Sequence, residues 1–214
     1  KMRLFFARHV SFRKNRFVRI TAFICAAVPV LYCALRFIPE PALNRFCERQ
    51  YSARFYDRNG ILLHVMPLED GLRREFVPLK KIPPELADAF IAAEDKNFYR
   101  HIGVDFLSII RAAEQNRKAR RIVSGASTIT MQLVRLIYPR SAKADFGVKL
   151  REMLCAFRLE IKLSKRRILE LYLNNVPFGF QTEGIASAAR SFYCIEADSL
   201  SSLTAEQMKT LAII

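Results

Sequence analysis

Residues 20–38 form an apolar run with a single charge, Arg36, near its end. About 20 apolar residues cross a bilayer core, and a proline such as Pro29 is tolerated inside a membrane helix. Arg36 can snorkel to the interface, while Tyr32 and Phe37 suit its headgroup level. A cleaved leader would need a shorter apolar stretch and a small-residue cleavage site, whereas Arg36-Phe37-Ile38-Pro39 follows here. The pattern therefore predicts an uncleaved anchor over 20–38. Farther on, Arg54-Phe55-Tyr56 and Ile61 to Val65 flank Asp57-Arg58-Asn59-Gly60, a turn signal that predicts a hairpin over 53–66. Pro67, Pro78, Pro83 and Pro84 then punctuate what reads as a linker, 39–83. Beyond it the period is helical: 84–94, 105–120, 127–137, 146–163, 165–174, 183–193 and 204–214. Asp105, Ser127, Ser164 and Thr204 are the expected N-caps, the last with Gln207 as a capping box. The sequence thus predicts a mainly α domain, 84–214, with a small β entry, a basic tail over 1–19 and an N-terminal membrane helix.

Charge adds a direction to the anchor. The 214 residues carry a net charge of +15, with 35 Lys and Arg against 20 Asp and Glu. Eight of the basic residues and none of the acidic ones lie in 1–38, which leaves +7 for the rest. Basic residues before the span and mixed charges after it place the tail in the cytoplasm and the domain on the exported side. A nucleic-acid arm would need aromatic interleaving or a recognition module, and the tail has neither. The five cysteines make no disulfide framework, because Cys25 and Cys33 fall within the span and three remain. Without Cys-x-x-Cys, and with His9, His64 and His101 scattered, there is no zinc motif. Seven glycines, none in a Gly-x-Gly-x-x-Gly or phosphate loop, argue against a nucleotide-binding sheet.

Three stretches carry candidate chemistry. The predicted helix 84–94 ends on adjacent carboxylates, Glu94-Asp95, and Glu94 continues its apolar face. A carboxylate there would be partly desolvated and suited to general-base work, although a solvated last turn is the plainer reading. Ser127, Thr128, Thr130 and Gln132 open a second helix, with Arg135 one turn on. Clustered hydroxyls at a helix N-terminus can seat an anion, or simply cap the helix. Arg117, Lys118, Arg120, Arg121, Arg140, Lys143, Lys149 and Arg151 add cations, and Glu152 brings a second carboxylate on the helix that begins near 146.

Taken in order, Glu94-Asp95-x-x-Phe98-x-x-His101-x-Gly103-x-Asp105, the segment 125–132, Lys149-x-x-Glu152, Arg167-Ile168-Leu169-Glu170-x-Tyr172-Leu173-Asn174 and Gly184-Ile185-x-x-Ala188-Ala189 resemble the five motifs of glycosyltransferase family 51. That is the peptidoglycan glycosyltransferase (transglycosylase) family of class A penicillin-binding proteins. The resemblance implies a lysozyme-like helical fold with a membrane-facing jaw, held at the bacterial inner membrane. It implies polymerisation of lipid II with release of undecaprenyl diphosphate. On these motifs Glu94 would be the general base and Glu152 would assist on the donor side. Ser127, Thr128, Thr130, Gln132, Arg135, Arg140, Lys149 and Arg151 would line the lipid-phosphate site. No cofactor is certain, though a divalent cation (Mg or Mn) would suit a diphosphate. Partners would be lipid II and the lipid-linked glycan, membrane lipid and other cell-wall synthesis proteins, with no nucleic acid. Met131 and Val148 depart from the usual Gln and Arg, and Met131 with Pro177-Phe178-Gly179 is most similar to the C-type branch.

Members of that branch continue into a transpeptidase domain. This sequence stops at Leu211-Ala212-Ile213-Ile214 within an unfinished apolar helix, and its one Ser-x-x-Lys, Ser11 to Lys14, lies in the tail. A fragment without transpeptidase chemistry is the expectation. Two other readings share these features: a membrane-anchored lytic glycosidase of lysozyme-like fold, and an inactive scaffold that binds lipid II or wall-synthesis proteins.

Overall fold

A computed structural model describes residues 2–121, 123, 125–139 and 146–213, and of residues 2–15, 17, 24 and 146 the backbone alone. The chain divides into two compact units, Lys1–Pro39 and Glu40–Ile214. The first is one helix, α1 (Met2–Phe37), which runs unbroken through the basic stretch and contains Pro29. Its segment Val18–Phe37 is long and apolar enough to cross a bilayer.

The second unit is mainly helical. In chain order it holds α2 (Pro41–Cys47), the strands β1 (Arg54–Tyr56), β2 (Leu62–Val65) and β3 (Arg73–Arg74), then α3 (Pro84–Glu94), α4 (Phe106–Ala119), α5 (Ile129–Ile137), α6 (Phe146–Lys162) and α7 (Lys165–Asn175). After these come β4 (Pro177–Gly179), β5 (Thr182–Glu183), α8 (Ile185–Tyr193) and α9 (Ala205–Leu211). β1 and β2 form the expected hairpin, antiparallel with Phe55 opposite His64, and the Asp57 carboxylate closes its turn on the amides of Asn59 and Ile61. A second sheet has the order β3-β5-β4, parallel between β3 and β5 and antiparallel between β5 and β4.

α5 is the central element and packs against α6 and α7. Ile129, Met131, Leu133, Val134 and Ile137 are all buried, so α5 is apolar on most of its circumference, as a helix enclosed by others must be. Each such side chain contributes roughly 1.5–3 kcal/mol by leaving water. α3 packs on α9, and its buried face is Leu86, Ala87 and Phe90. Two glycines permit close approaches. At Gly103 (φ 76°) a Cβ would sit 2.8 Å from the backbone of Ala156 in α6, and at Gly184 (φ 81°) 2.5 Å from the Asn174 carbonyl at the end of α7. Both combine a positive φ with no room for a side chain.

The segment 39–83, expected to be a linker, belongs to the compact unit: Leu43, Phe46, Val77 and Ile82 are buried in the same core. Its prolines end short elements rather than keeping the chain apart. Asn174 holds Val77 by both its amide and its carbonyl, and Glu170 accepts from the Leu79 amide. The fourth motif therefore anchors the β entry.

Caps fall at Asp105, Ser164 and Thr204, the last in a complete capping box with Gln207. For α5 the expected Ser127 is replaced by Thr128, whose hydroxyl accepts from the Met131 amide. The Asp105 carboxylate accepts from the Ser108 amide (3.0 Å), the Ser108 hydroxyl (2.6 Å) and Asn97 (2.8 Å). Burial opposes its charge, but these hydrogen bonds, Ser108 first and Asn97 next, outweigh it and pull the carboxyl down to about 2. A depressed native pKa stabilises the fold above the unfolded value of about 3.9, and that stability is lost as pH falls through 2. Asp105→Ala is expected to cost about 1–2 kcal/mol at neutral pH. In urea unfolding, its gap from the unmodified chain should narrow as pH falls below about 4; a constant gap would contradict this assignment.

Candidate active site

The two adjacent carboxylates at the end of α3 take opposite roles. Asp95, 7% exposed, turns inward: both its oxygens lie 3.0 Å from His101 Nε2, and Oδ2 accepts the amide of Ile129, the first residue of α5. An anion at a helix N-terminus is favoured by the helix dipole, so Asp95 fastens the end of α3 to the start of α5. Glu94 turns outward and is exposed. The expected partial desolvation is therefore not found, because the apolar stripe of α3 ends at the rim of a cleft instead of continuing into the core. That cleft, of about 190 Å³, is bordered by Glu94, Lys96, Asn97, Arg111 and Ser127.

Glu94 is held nonetheless. Gln132, one turn into α5, donates Nε2 to Glu94 Oε2 at 2.5 Å, and the Tyr172 hydroxyl of α7 lies 3.0 Å from Gln132 Oε1. Burial first, and the Glu94 charge second, push the Tyr172 phenol above its ordinary value.

Beside this arm lies a cationic cluster. Arg135 Nη2 and Lys149 Nζ donate to the Ser127 hydroxyl at 2.6 and 2.8 Å. The same two cations lie 3.4 and 3.5 Å from the carboxylate oxygens of Glu152, a residue 5% exposed. A serine hydroxyl has two lone pairs and one proton. With both lone pairs engaged by cations, what Ser127 offers the cleft is its proton, together with the charge behind it. That suits an anionic oxygen.

Of the residues read from the sequence, Glu94, Gln132, Ser127, Arg135, Lys149 and Glu152 are brought together. Thr130 is not, and Thr128 reaches the same cleft with its hydroxyl already engaged. Thr128 is buried, capping α5 and donating to the Gly103 carbonyl, and Thr130 is fully buried and donates to Glu160, which also takes Lys165. Both threonines lock α5 in place; Thr128 also lines the cleft, but its hydroxyl is committed to the Met131 amide and the Gly103 carbonyl, while Thr130 lies away from it. Arg151 is exposed on another wall, where with Arg45, Tyr138 and Glu152 it lines a cavity of about 380 Å³. Arg117, Lys118, Arg120 and Arg121 are exposed at the end of α4, a solvated face. Arg140 and Lys143, together with Ser124, lie outside the described residues. The sequence reading did not single out Arg111 or the inward roles of Asp95, His101 and Tyr172. Among the described residues no group of three or more His, Cys, Asp or Glu could hold a metal ion, and all five cysteines are free thiols.

Known proteins match across this site. The sequence profile of the family described as Transglycosylase matches residues 59–214. Penicillin-binding protein 4 of Bacillus subtilis is 40% identical over 159 residues, covering 74% of this chain and 25% of the relative. Penicillin-binding protein 1A of Aquifex aeolicus is 35% identical over 156 residues, 73% of this chain and 21% of the relative. Penicillin-binding protein 1A of Neisseria gonorrhoeae is 46% identical over 121 residues, 56% of this chain and 15% of the relative. The chain thus spans a quarter or less of the length of these relatives.

Proposed function

The chain belongs to the transglycosylase family, and from that premise we propose that it is a peptidoglycan glycosyltransferase of cell-wall synthesis, which extends glycan strands from lipid II and releases undecaprenyl diphosphate. One observation carries this reading. Glu94 and Ser127 border the same cleft, and Ser127 is held by the cations Arg135 and Lys149. A base and an anion seat therefore face one space.

In the proposed reaction the acceptor's 4-hydroxyl attacks the anomeric carbon of the lipid-linked glycan on the face opposite its diphosphate. The new C–O bond forms as the old C1–O bond breaks, so the centre inverts. The hydroxyl proton goes to Glu94, and the electron pair leaves with the diphosphate, whose charge faces Ser127, Arg135 and Lys149. Diphosphate is a good leaving group and needs cations more than a protonated acid. Hydrolysis of an unactivated glycosidic bond would instead need a general acid paired with a second carboxylate or a water across the bond. Glu152 holds Arg135 and Lys149 in register for the donor.

A lipid-held substrate also accounts for the apolar surface. Ile102, Leu107, Ile110 and Leu154 are exposed, the first three at or on α4 and the last on α6. Such side chains suit the acyl boundary of a membrane. With Val18–Phe37 as a single-pass anchor, the basic stretch would be cytoplasmic and the Glu40–Ile214 unit periplasmic. The proposed partners are lipid II, the growing lipid-linked glycan, membrane lipid and other wall-synthesis proteins. The relatives named above are of the 1A and 4 types, and placement in the C-type branch rests on Met131 and Pro177-Phe178-Gly179 alone.

The test is incubation of the full chain in bilayers with labelled lipid II, where a ladder of glycan strands is expected. Absence of polymer, or shortening of finished peptidoglycan, would overturn the reading, the latter in favour of a lytic glycosidase. Within the same assay Arg135→Ala is expected to slow polymerisation by about 10²-fold, the scale on which one preorganised charge stabiliser acts. An unchanged rate would place Arg135 outside the donor site.

A further inference from the structure

Three helices meet at Glu94 through side chains far apart in sequence. Tyr172, on α7, is 2% exposed, and its ring packs edge-on against Phe90 of α3 at 6.4 Å between centroids. Phe90 and Glu94 are four residues apart on α3 and share a face. From that pocket the phenol reaches Gln132 Oε1 on α5, and Gln132 Nε2 reaches Glu94.

The polarity of this chain is fixed by chemistry. A carboxylate only accepts, so the amide must present its NH2 to Glu94. Its carbonyl then faces Tyr172, and the phenol, placed opposite an acceptor, must donate. A flipped amide would set carbonyl oxygen against carboxylate at one end. Tyr172 has its proton to donate, because burial and the neighbouring Glu94 charge both keep it protonated, and the carboxylate at the other end of the amide decides the orientation that this donation then holds. Glu94 is exposed at the last turn of α3. Left to itself, such a side chain would sample several rotamers, and burying or fixing it costs on the order of 1.5–2 kcal/mol in conformational entropy.

We propose that Tyr172 is a positioning residue for the glycosyl transfer: by donating to the Gln132 carbonyl it locks the amide, and the amide holds the Glu94 carboxylate in one rotamer at the cleft. Gln132 thereby serves the base rather than the lipid phosphates. This rests on the functional reading above, in which Glu94 takes the acceptor's proton.

The test is Tyr172→Phe in the full chain, which keeps the ring and its packing on Phe90 and removes only the donor. With lipid II, kcat is expected to fall about 10-fold, within the range that small misplacements of reacting groups produce. KM and the melting temperature should stay near those of the unmodified chain. Gln132→Leu breaks the same arm at its centre, so the double variant Tyr172→Phe/Gln132→Leu should be no slower than Gln132→Leu alone. A second readout does not use activity: the side-chain amide resonances of Gln132, shifted by the carboxylate, should move toward free-amide values in Tyr172→Phe. If the unmodified chain polymerises and Tyr172→Phe keeps its kcat, or if both variants' losses multiply, the inference is overturned while the functional reading stands. If the unmodified chain makes no polymer, the functional reading fails and the role in transfer fails with it. Unmoved Gln132 resonances would then also remove the arm itself. A fall in kcat that tracks a fall in melting temperature would likewise overturn the proposal, by making Tyr172 a packing residue.

Discussion

Glu94→Gln should lose about 10²–10⁴-fold of the polymerisation rate, the usual contribution of a positioned general base. The substitution keeps the size of the side chain and removes its charge and its capacity to take a proton. It also removes the 2.5 Å charge-assisted bond from Gln132, and an amide facing an amide can orient either way. The cationic cluster is not part of this arm, because Arg135 and Lys149 are held by Ser127 and Glu152. Binding of a non-reacting donor analogue should therefore survive in Glu94→Gln while turnover is lost. That split separates a base from a donor ligand. Near-normal polymerisation by Glu94→Gln would remove Glu94 from the chemistry, and loss of analogue binding would move it to the donor side.

How far the sequence foretold this site depends on the range of the interactions involved. Helices were legible because their signals are local: the period of 3.6 and the caps at Asp105, Ser164 and Thr204 need only neighbours within a turn. The hairpin was legible through Asp57 to Gly60 for the same reason. β3 and β5, two residues each, are too short to show any period, and they exist because β3 meets β5 across more than a hundred residues. The same distance hid the true status of 39–83, whose prolines read as a linker until Val77 is seen hydrogen-bonded to Asn174. At the site, residue types were legible and orientations were not. Leu86, Phe90 and Glu94 recur every four residues, which placed Glu94 on the buried stripe; the helix instead ends there, and Asp95 takes the inward position. Thr130 reads as a first-turn hydroxyl until Glu160, thirty residues on, is seen to accept its proton.

The largest effect on stability is expected away from the cleft, at Glu75, whose side chain is 1% exposed. Arg190 of α8 donates to both its oxygens, at 2.7 and 2.9 Å, and Arg54 of β1 approaches at 2.9 Å. The Glu75 amide donates to Ser187, also on α8. This carboxylate holds the Arg190 proton more firmly than water would, chiefly through their hydrogen bonds. One side chain thus ties the hairpin and the segment leading to α3 onto α8. Two opposing magnitudes decide the outcome of removing it. A buried charge pair contributes little net stability when intact, since desolvation offsets attraction, yet deleting one partner costs about 3–5 kcal/mol by stranding the other. Here Arg190 would be stranded, while Arg54 keeps Asp198 at 3.5 Å and the Phe76 carbonyl at 3.3 Å, and both guanidiniums are about a fifth exposed and so partly relieved by water. Glu75→Ala should accordingly lose about 3 kcal/mol or more in denaturant unfolding. Arg190→Met added to Glu75→Leu should cost less than the two single losses summed, because the double variant leaves fewer unmatched charges. A strictly additive cycle would mean that Glu75 and Arg190 act independently, and that what joins α8 to the β entry is packing alone.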